Sequence, residues 1–251
     1  MIKPYQVLAT DYDGTLAHHS VVSPETIAAV ERLRAAGKKL VLVTGRELEE
    51  LKGIFPQINL CDLVVAENGA LLYWPKTEKL SLLSEPPPEN FVAELKERGV
   101  PVAVGRVIVA TVEPHEVTVL QTIKTMGLEL ELIFNKGAVM ILQTGVNKAT
   151  GLRSGLARMG LSTREVIGVG DAENDHAFLR ICGCGIAVAN ALPSLKEKAD
   201  FITARPHGEG VTELIDQLLE NNFEPPATEV VKEPPSRDRD SQTGRNATRS
   251  M

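Results

Sequence analysis

A short apolar run over residues 7–9 leads directly into Asp11-Tyr12-Asp13-Gly14-Thr15-Leu16, which sets two carboxylates at i and i+2 just past a strand. Glycine after the second acid lets the chain turn sharply out of a sheet. Both acids then stay near the carboxyl edge, where open α/β sheets place their ligands. A D-x-D-G run also begins some calcium loops, but such a loop needs further oxygen ligands and a closing Glu at its twelfth position. Here the chain continues Ala17-His18-His19-Ser20-Val21-Val22 without them. The calcium reading fails, and a catalytic carboxylate pair remains.

The rest of the chain supplies the sheet that this edge requires. Residues 6–10 read as a strand, and Ser23 as N-cap with Pro24 behind it opens a helix that runs to 36 and stops at Gly37. A parallel strand over 39–43 follows, then a helix opened by Thr44-Gly45-Arg46 and ending near Gly53, then a strand over 63–66. Glu67-Asn68-Gly69-Ala70 turns the chain into a hairpin arm over 71–74. Between about 80 and 145 the order changes to helix 88–98, strands 102–104 and 107–112, helix 114–126, and strands 129–134 and 138–143. The parallel pattern resumes with helix 148–159, strand 166–169, helix 173–182, strand 185–188, helix 193–198, strand 201–203 and helix 210–220.

The expected fold is therefore α/β: a Rossmann-like parallel core over 1–79 and 146–222, with a small αββαββ insert, an α+β cap, over 80–145. From 223 to 251 the chain is Pro, Glu, Arg, Asp, Ser and Thr with almost no large apolar residue, too little to offset ordering entropy. Disorder is expected there. Two readings stay open for this tail: a linker to a fused or tethered partner domain, or a solvated tail.

Composition excludes several classes of function. The net charge is −6 with Lys and Arg scattered, so no basic face is expected for nucleic acid. No basic stretch precedes an apolar leader segment, and no window approaches the ~18 apolar residues of a membrane span. A cytoplasmic protein with no membrane or nucleic-acid partner is expected. Cys61, Cys182 and Cys184 are too few for a disulfide framework and lack zinc-site spacing, so all three read as buried thiols.

Polar residues converge on one edge of the expected sheet: Asp11 and Asp13, then Thr44, then Lys148 at a helix start, then Asp171 and Asp175. Singly, each has a plain explanation. Thr44 could cap a helix, Lys148 could be solvated, and Asp171 within Gly170-Asp171-Ala172-Glu173-Asn174-Asp175 could be another cap. Their shared address argues otherwise. Several carboxylates at one edge repel unless a cation lies among them, and an all-oxygen cluster suits Mg²⁺. Thr44, Lys148, the metal and backbone amides around Tyr12, Asp13 and Gly45 would surround a dianion such as phosphate.

The order D-x-D-G-T, T-G-R, Lys, G-D-x-x-N-D resembles the haloacid dehalogenase superfamily, in particular its Cof-type (IIB) phosphatases, across roughly residues 5–220. Asn68-Gly69 resembles the Cof-type segment before the cap, although a hairpin turn explains it equally well. The resemblance implies Asp11 as nucleophile through an aspartyl phosphate, and Asp13 as general acid and base with a pKa raised by a negative neighbour. It implies Mg²⁺ on the Asp11 carboxylate, the Asp13 backbone carbonyl and Asp171, with Asp175 acting through water or on Lys148. Thr44 and the Gly45 amide would hold phosphoryl oxygens, Lys148 would hold Asp11 and the phosphoryl group, and Asn174 would be a phosphate or supporting contact.

The expected activity is hydrolysis of a small phosphate ester, phosphoglycolate or a sugar phosphate, because resembling proteins with short caps act on such substrates. Arg46 beside the site, and Arg106, Asn135 and Lys136 in cap turns, are candidate substrate contacts. His18 and His19 on the loop after the nucleophile, and His176, could meet substrate or face water. A phosphomutase of the same superfamily and a binding or regulatory module tethered by the tail are the alternatives.

Overall fold

The computed structural model describes residues 5–221 and 223. The first elements are β1 (Val7–Thr10), α1 (Pro24–Ala35), β2 (Lys39–Val43), α2 (Leu48–Ile54), β3 (Leu63–Ala66), β4 (Leu71–Trp74) and β5 (Lys79–Leu82). Next come α3 (Glu89–Glu97), β6 (Ala103–Val104), β7 (Val109–Val112), α4 (Glu116–Met126), β8 (Leu130–Asn135) and β9 (Ala138–Gln143). The chain then forms α5 (Lys148–Arg158), β10 (Val166–Gly170), α6 (His176–Ile181), β11 (Cys184–Ala187), α7 (Pro193–Lys196), β12 (Phe201–Ile202) and α8 (His207–Asn221).

Eight strands form one sheet in the order β12-β11-β10-β1-β2-β3-β4-β5. It is parallel from β12 to β3, and β4 and β5 add an antiparallel edge. The central strands β1, β3 and β10 are buried along their whole length, so apart from Thr10 at the end of β1 their side chains on both faces are apolar and the sequence shows continuous runs instead of alternation. Packing of α1 on α8 and α5 on α6 helps cover the sheet.

Between β5 and α5 lies a second, antiparallel sheet of order β6-β7-β9-β8. Phe91, Leu95, Val119 and Ile123 of α3 and α4 pack on Val109 and Ile141 to form its own core. A separate apolar cluster joins the two sheets: Val107, Ile108, Met140 and Leu142 of the insert pack with Ala70.

Several departures from sequence patterning have local causes. Residues 79–82 pair with β4 from Leu71↔Leu82 to Trp74↔Lys79, although Lys-Leu-Ser-Leu at a half-exposed edge has no apolar run to announce a strand. The strand expected from 107 starts at Val109, because the amides of Val107 and Ile108 donate to the buried Glu67 carboxylate at 2.7 and 3.0 Å. The helix expected at Thr44 starts at Leu48, since Thr44 Oγ1 takes the Arg46 amide and the Arg46 carbonyl takes the Glu67 amide. A 3₁₀ turn, Glu173–Asp175, precedes α6.

Apart from Phe223, the tail lies outside the described residues. Among the described residues no helix is long and apolar enough to cross a membrane. Cys61 and Cys184 are buried, whereas Cys182 is partly exposed, its thiol donating to the Phe178 carbonyl.

The turn Glu67-Asn68-Gly69 joins these parts. All three residues have left-handed φ, at 50°, 55° and 103°. A Cβ on Gly69 would come within 2.0 Å of the Asn147 carbonyl oxygen, and one on Gly151 within 2.5 Å of Gly69 Cα. Two facing glycines thus let the turn lie directly on the start of α5. On its other side the Glu67 carboxylate accepts amides of Arg106, Val107 and Ile108 from the insert. Glu67→Ala strands these donors and is expected to lower the unfolding free energy by about 3 kcal/mol, read from urea denaturation. Glu67→Gln, which keeps a carbonyl acceptor, should lose less.

Candidate active site

Asp11 stands one residue beyond β1, its amide donating to the Val169 carbonyl at 2.9 Å. The loop that follows folds back on itself, Gly14 and Ala17 amides donating to the Ala17 and Tyr12 carbonyls. Gly14 has φ of 82°, and a Cβ there would strike Asp171 Oδ2 at 2.2 Å. Only glycine lets this loop close on the end of β10. Thr15 Oγ1 completes that junction by donating to Asp171 Oδ1 at 3.0 Å. The Gly14 carbonyl is held by Asn190 Nδ2 at 2.7 Å and by His207 Nδ1 at 2.9 Å.

Lys148 is the first residue of α5, set by an Asn147 capping box. Its buried ammonium donates to Asp11 Oδ1 and Asp175 Oδ1, both at 2.6 Å. Asp175 Oδ2 accepts the Asp171 and Ala172 amides at 2.8 and 3.0 Å, so this carboxylate orients both the lysine and the loop after β10. Burial pushes the Asp11 carboxyl well above the usual carboxylate range, Lys148 pulling against it while Asp175 and Asp171 add to the rise. Burial draws the Lys148 ammonium down, but Asp11 and Asp175 together outweigh it and leave it above the usual lysine range. Burial also raises Asp171, opposed by Lys136.

One carboxylate oxygen from each of Asp11, Asp171 and Asp175 lies within 4.8 Å of the other two. Three buried oxygen donors this close form the hard, anionic donor set that a divalent cation satisfies. The Asp13 carboxylate is engaged elsewhere: Arg46 holds it through Nε at 2.5 Å and Nη2 at 2.8 Å. The immediate neighbour of Asp13 is thus a cation, where the sequence reading anticipated a negative group. Arg46 also binds Ser20 and Glu50.

Thr44 is buried one residue beyond β2, and Gly45 lies beneath the insert, where a Cβ would come within 3.1 Å of Met140 Sδ and 3.7 Å of Asn174 Nδ2. Asn174 Nδ2 donates to Asn68 Oδ1 at 3.2 Å. Asn68 Nδ2 and Asn174 Oδ1 are buried with no hydrogen-bond partner among the described residues. A ligand oxygen and a ligand hydroxyl are the groups that would complete this pair.

Of the cap-turn candidates, Lys136 donates its ammonium to Asp171 and its amide to Glu173 Oε2. Arg106 pairs with Glu49 among exposed side chains. His18 stacks on His207 with ring centroids 4.2 Å apart, and His176 lies 3.5 Å from Ser194. Sequence reasoning did not single out Thr15, Asn190 or His207. Asn190 follows β11 at the same sheet edge and was open to discovery by that placement; no comparable signal marks His207.

A family model described as haloacid dehalogenase-like hydrolase matches residues 8–126 and 131–215. Phosphoglycolate phosphatase 2 of Saccharolobus solfataricus is 31% identical over 225 residues, covering 86% of this chain and 94% of that protein. A phosphoglycolate phosphatase of Methanothermobacter thermautotrophicus is 31% identical over 223 residues, covering 85% and 99%. The solved structure of a haloacid dehalogenase subclass IIB sugar phosphatase superposes with a TM-score of 0.71 at 22% identity, covering 85% of this chain and 98% of that one, and so shares the fold. An eight-stranded sheet with an antiparallel insert, acids at adjacent strand ends, and relatives matched over nearly their whole length lead to one assignment. This chain belongs to the haloacid dehalogenase-like hydrolases, among their phosphatases.

Proposed function

We propose that the protein is a Mg²⁺-dependent phosphomonoesterase that hydrolyses a small organic phosphate through an aspartyl phosphate on Asp11. The observation that carries this reading is the buried Lys148 ammonium bridging Asp11 and Asp175 beside Asp171, four groups from three separate segments of chain. Such a cluster has no structural need for so many acids. Asp11, Asp171 and Asp175 would hold the cation, which when bound would neutralise charge on the carboxylates and on the phosphoryl oxygens.

The side chains divide the remaining work. Asp11, kept in place by Lys148, attacks phosphorus in line with the leaving oxygen. Asp13, held by both arms of Arg46, would leave that pair and take up a proton in order to give it to the leaving alkoxide, and would later take one from the attacking water. Thr44 Oγ1, the Gly45 amide and the Asn68–Asn174 pair line the side on which phosphoryl oxygens would lie. The insert serves as a cap, Met140 and Lys136 covering the site and excluding bulk water. The names of the two phosphoglycolate phosphatase relatives support phosphoglycolate as the substrate, with sugar phosphates as the wider class. Neither the mutase nor the tethered module draws support from them.

Two measurements test this reading. Asp11→Asn should lower phosphate release by about 10⁴-fold or more, because an amide cannot form the acyl phosphate; near-normal turnover would overturn the nucleophile assignment. Activity should vanish in EDTA and return with Mg²⁺, and the added ion should raise the melting temperature of the wild-type protein. A melting temperature and an activity indifferent to both would remove the metal from the reading.

A further inference from the structure

Three cations reach the acids of the site. Lys148 lies between Asp11 and Asp175, and Arg46 between Asp13 and Glu50, so each is held by two acids. Lys136 differs from these two. Among the described residues its ammonium pairs with one acid, Asp171, on a half-exposed side chain that reaches a fully buried carboxylate.

Its backbone is fixed for this reach. Lys136 sits in the β8–β9 turn at φ 48°, with Gly137 at 84°, and its amide donates to Glu173 Oε2 at 3.2 Å. A left-handed lysine costs energy that an exposed turn could avoid with Asn or Gly. The turn therefore delivers an ammonium to the carboxylate cluster from the cap side. That ammonium is also close to the nucleophile loop, 3.1 Å from where a Gly14 Cβ would stand.

Resting on the phosphatase reading, we propose that Lys136 selects the substrate by pairing with a second anionic group, a carboxylate one or two carbons from the ester oxygen. With Asp171 shared with a divalent cation, the flexible lysine stem is free to turn its charge to the substrate. Length follows from position. An ammonium held this close to Gly14 meets only an anion near the phosphorus, and Met140 over Gly45 narrows the space further. A short phosphooxy acid offers this ammonium a second anion close to its phosphate, whereas a sugar monophosphate has no such group to offer.

The test compares 2-phosphoglycolate with its neutral counterpart 2-hydroxyethyl phosphate on wild type, Lys136→Met and Lys136→Arg. Lys136→Met should lower kcat/KM for phosphoglycolate, mainly through KM, by about 10- to 100-fold more than for the neutral ester. Lys136→Arg should restore most of the preference. Equal losses on both esters, or no loss on phosphoglycolate, would overturn the assignment. Calorimetric titration of both ligands into the Mg²⁺-loaded proteins gives the same preference as a binding ratio, so Lys136 is judged even without turnover. Absence of Asp11-dependent phosphate release from either ester would overturn the phosphatase reading alone.

Discussion

The ammonium of Lys148, buried between Asp11 and Asp175, is the interaction on which the rest of the molecule depends. Breaking a buried pair by removing one partner typically costs about 3–5 kcal/mol, and here a single lysine compensates two buried acids. Replacing this trio by apolar side chains would give an ordinary sheet end. The fold instead keeps a charge-dense edge and must satisfy it from several directions at once: the Asn147 cap that seats Lys148, the amides of Asp171 and Ala172 on Asp175, and the Thr15 hydroxyl on Asp171.

The same economy governs the 67–69 turn. Three successive residues in left-handed conformation would be costly in a free loop, yet each makes a different junction. Glu67 receives the insert, Asn68 receives the loop after β10 through Asn174, and Gly69 receives the helix that carries Lys148. The insert is thereby joined by hydrogen bonds and close packing to the residues around Asp11. The apolar cluster of Ala70 with Val107, Ile108, Met140 and Leu142 adds a non-directional contact beside these directed ones.

Much of this architecture is legible in the sequence because parallel strands advertise themselves as apolar runs ending in polar residues. β3, β4 and β9 coincide with the runs at 63–66, 71–74 and 138–143. What lies hidden depends on side-chain direction across elements. No spacing rule connects Arg46 with Asp13, or Glu67 with three amides some forty residues later. β5 escaped notice because an edge strand of mixed polarity has no periodic signature, and the late start of β7 follows from a carboxylate acting where a neighbouring strand would otherwise bond. His207 is the extreme case: a residue at the start of α8 contacts the loop after Asp11 only because the last helix packs on the first.

That last contact bears on how the protein comes into being. Asp11 meets Lys148 across 137 residues, and the carbonyl of Gly14 meets Asn190 across 176 and His207 across 193. Contacts of such sequence separation form late, since the loop-closure entropy must be met before they contribute. A nascent chain growing from its N-terminus exposes the Asp11 loop first and acquires its partners last. The charged edge is thus a product of completed folding: a chain grown no further than residue 147 carries Asp11 and Asp13 without Lys148, Asp171 or Asp175, and the cluster comes into being only when the later segments arrive.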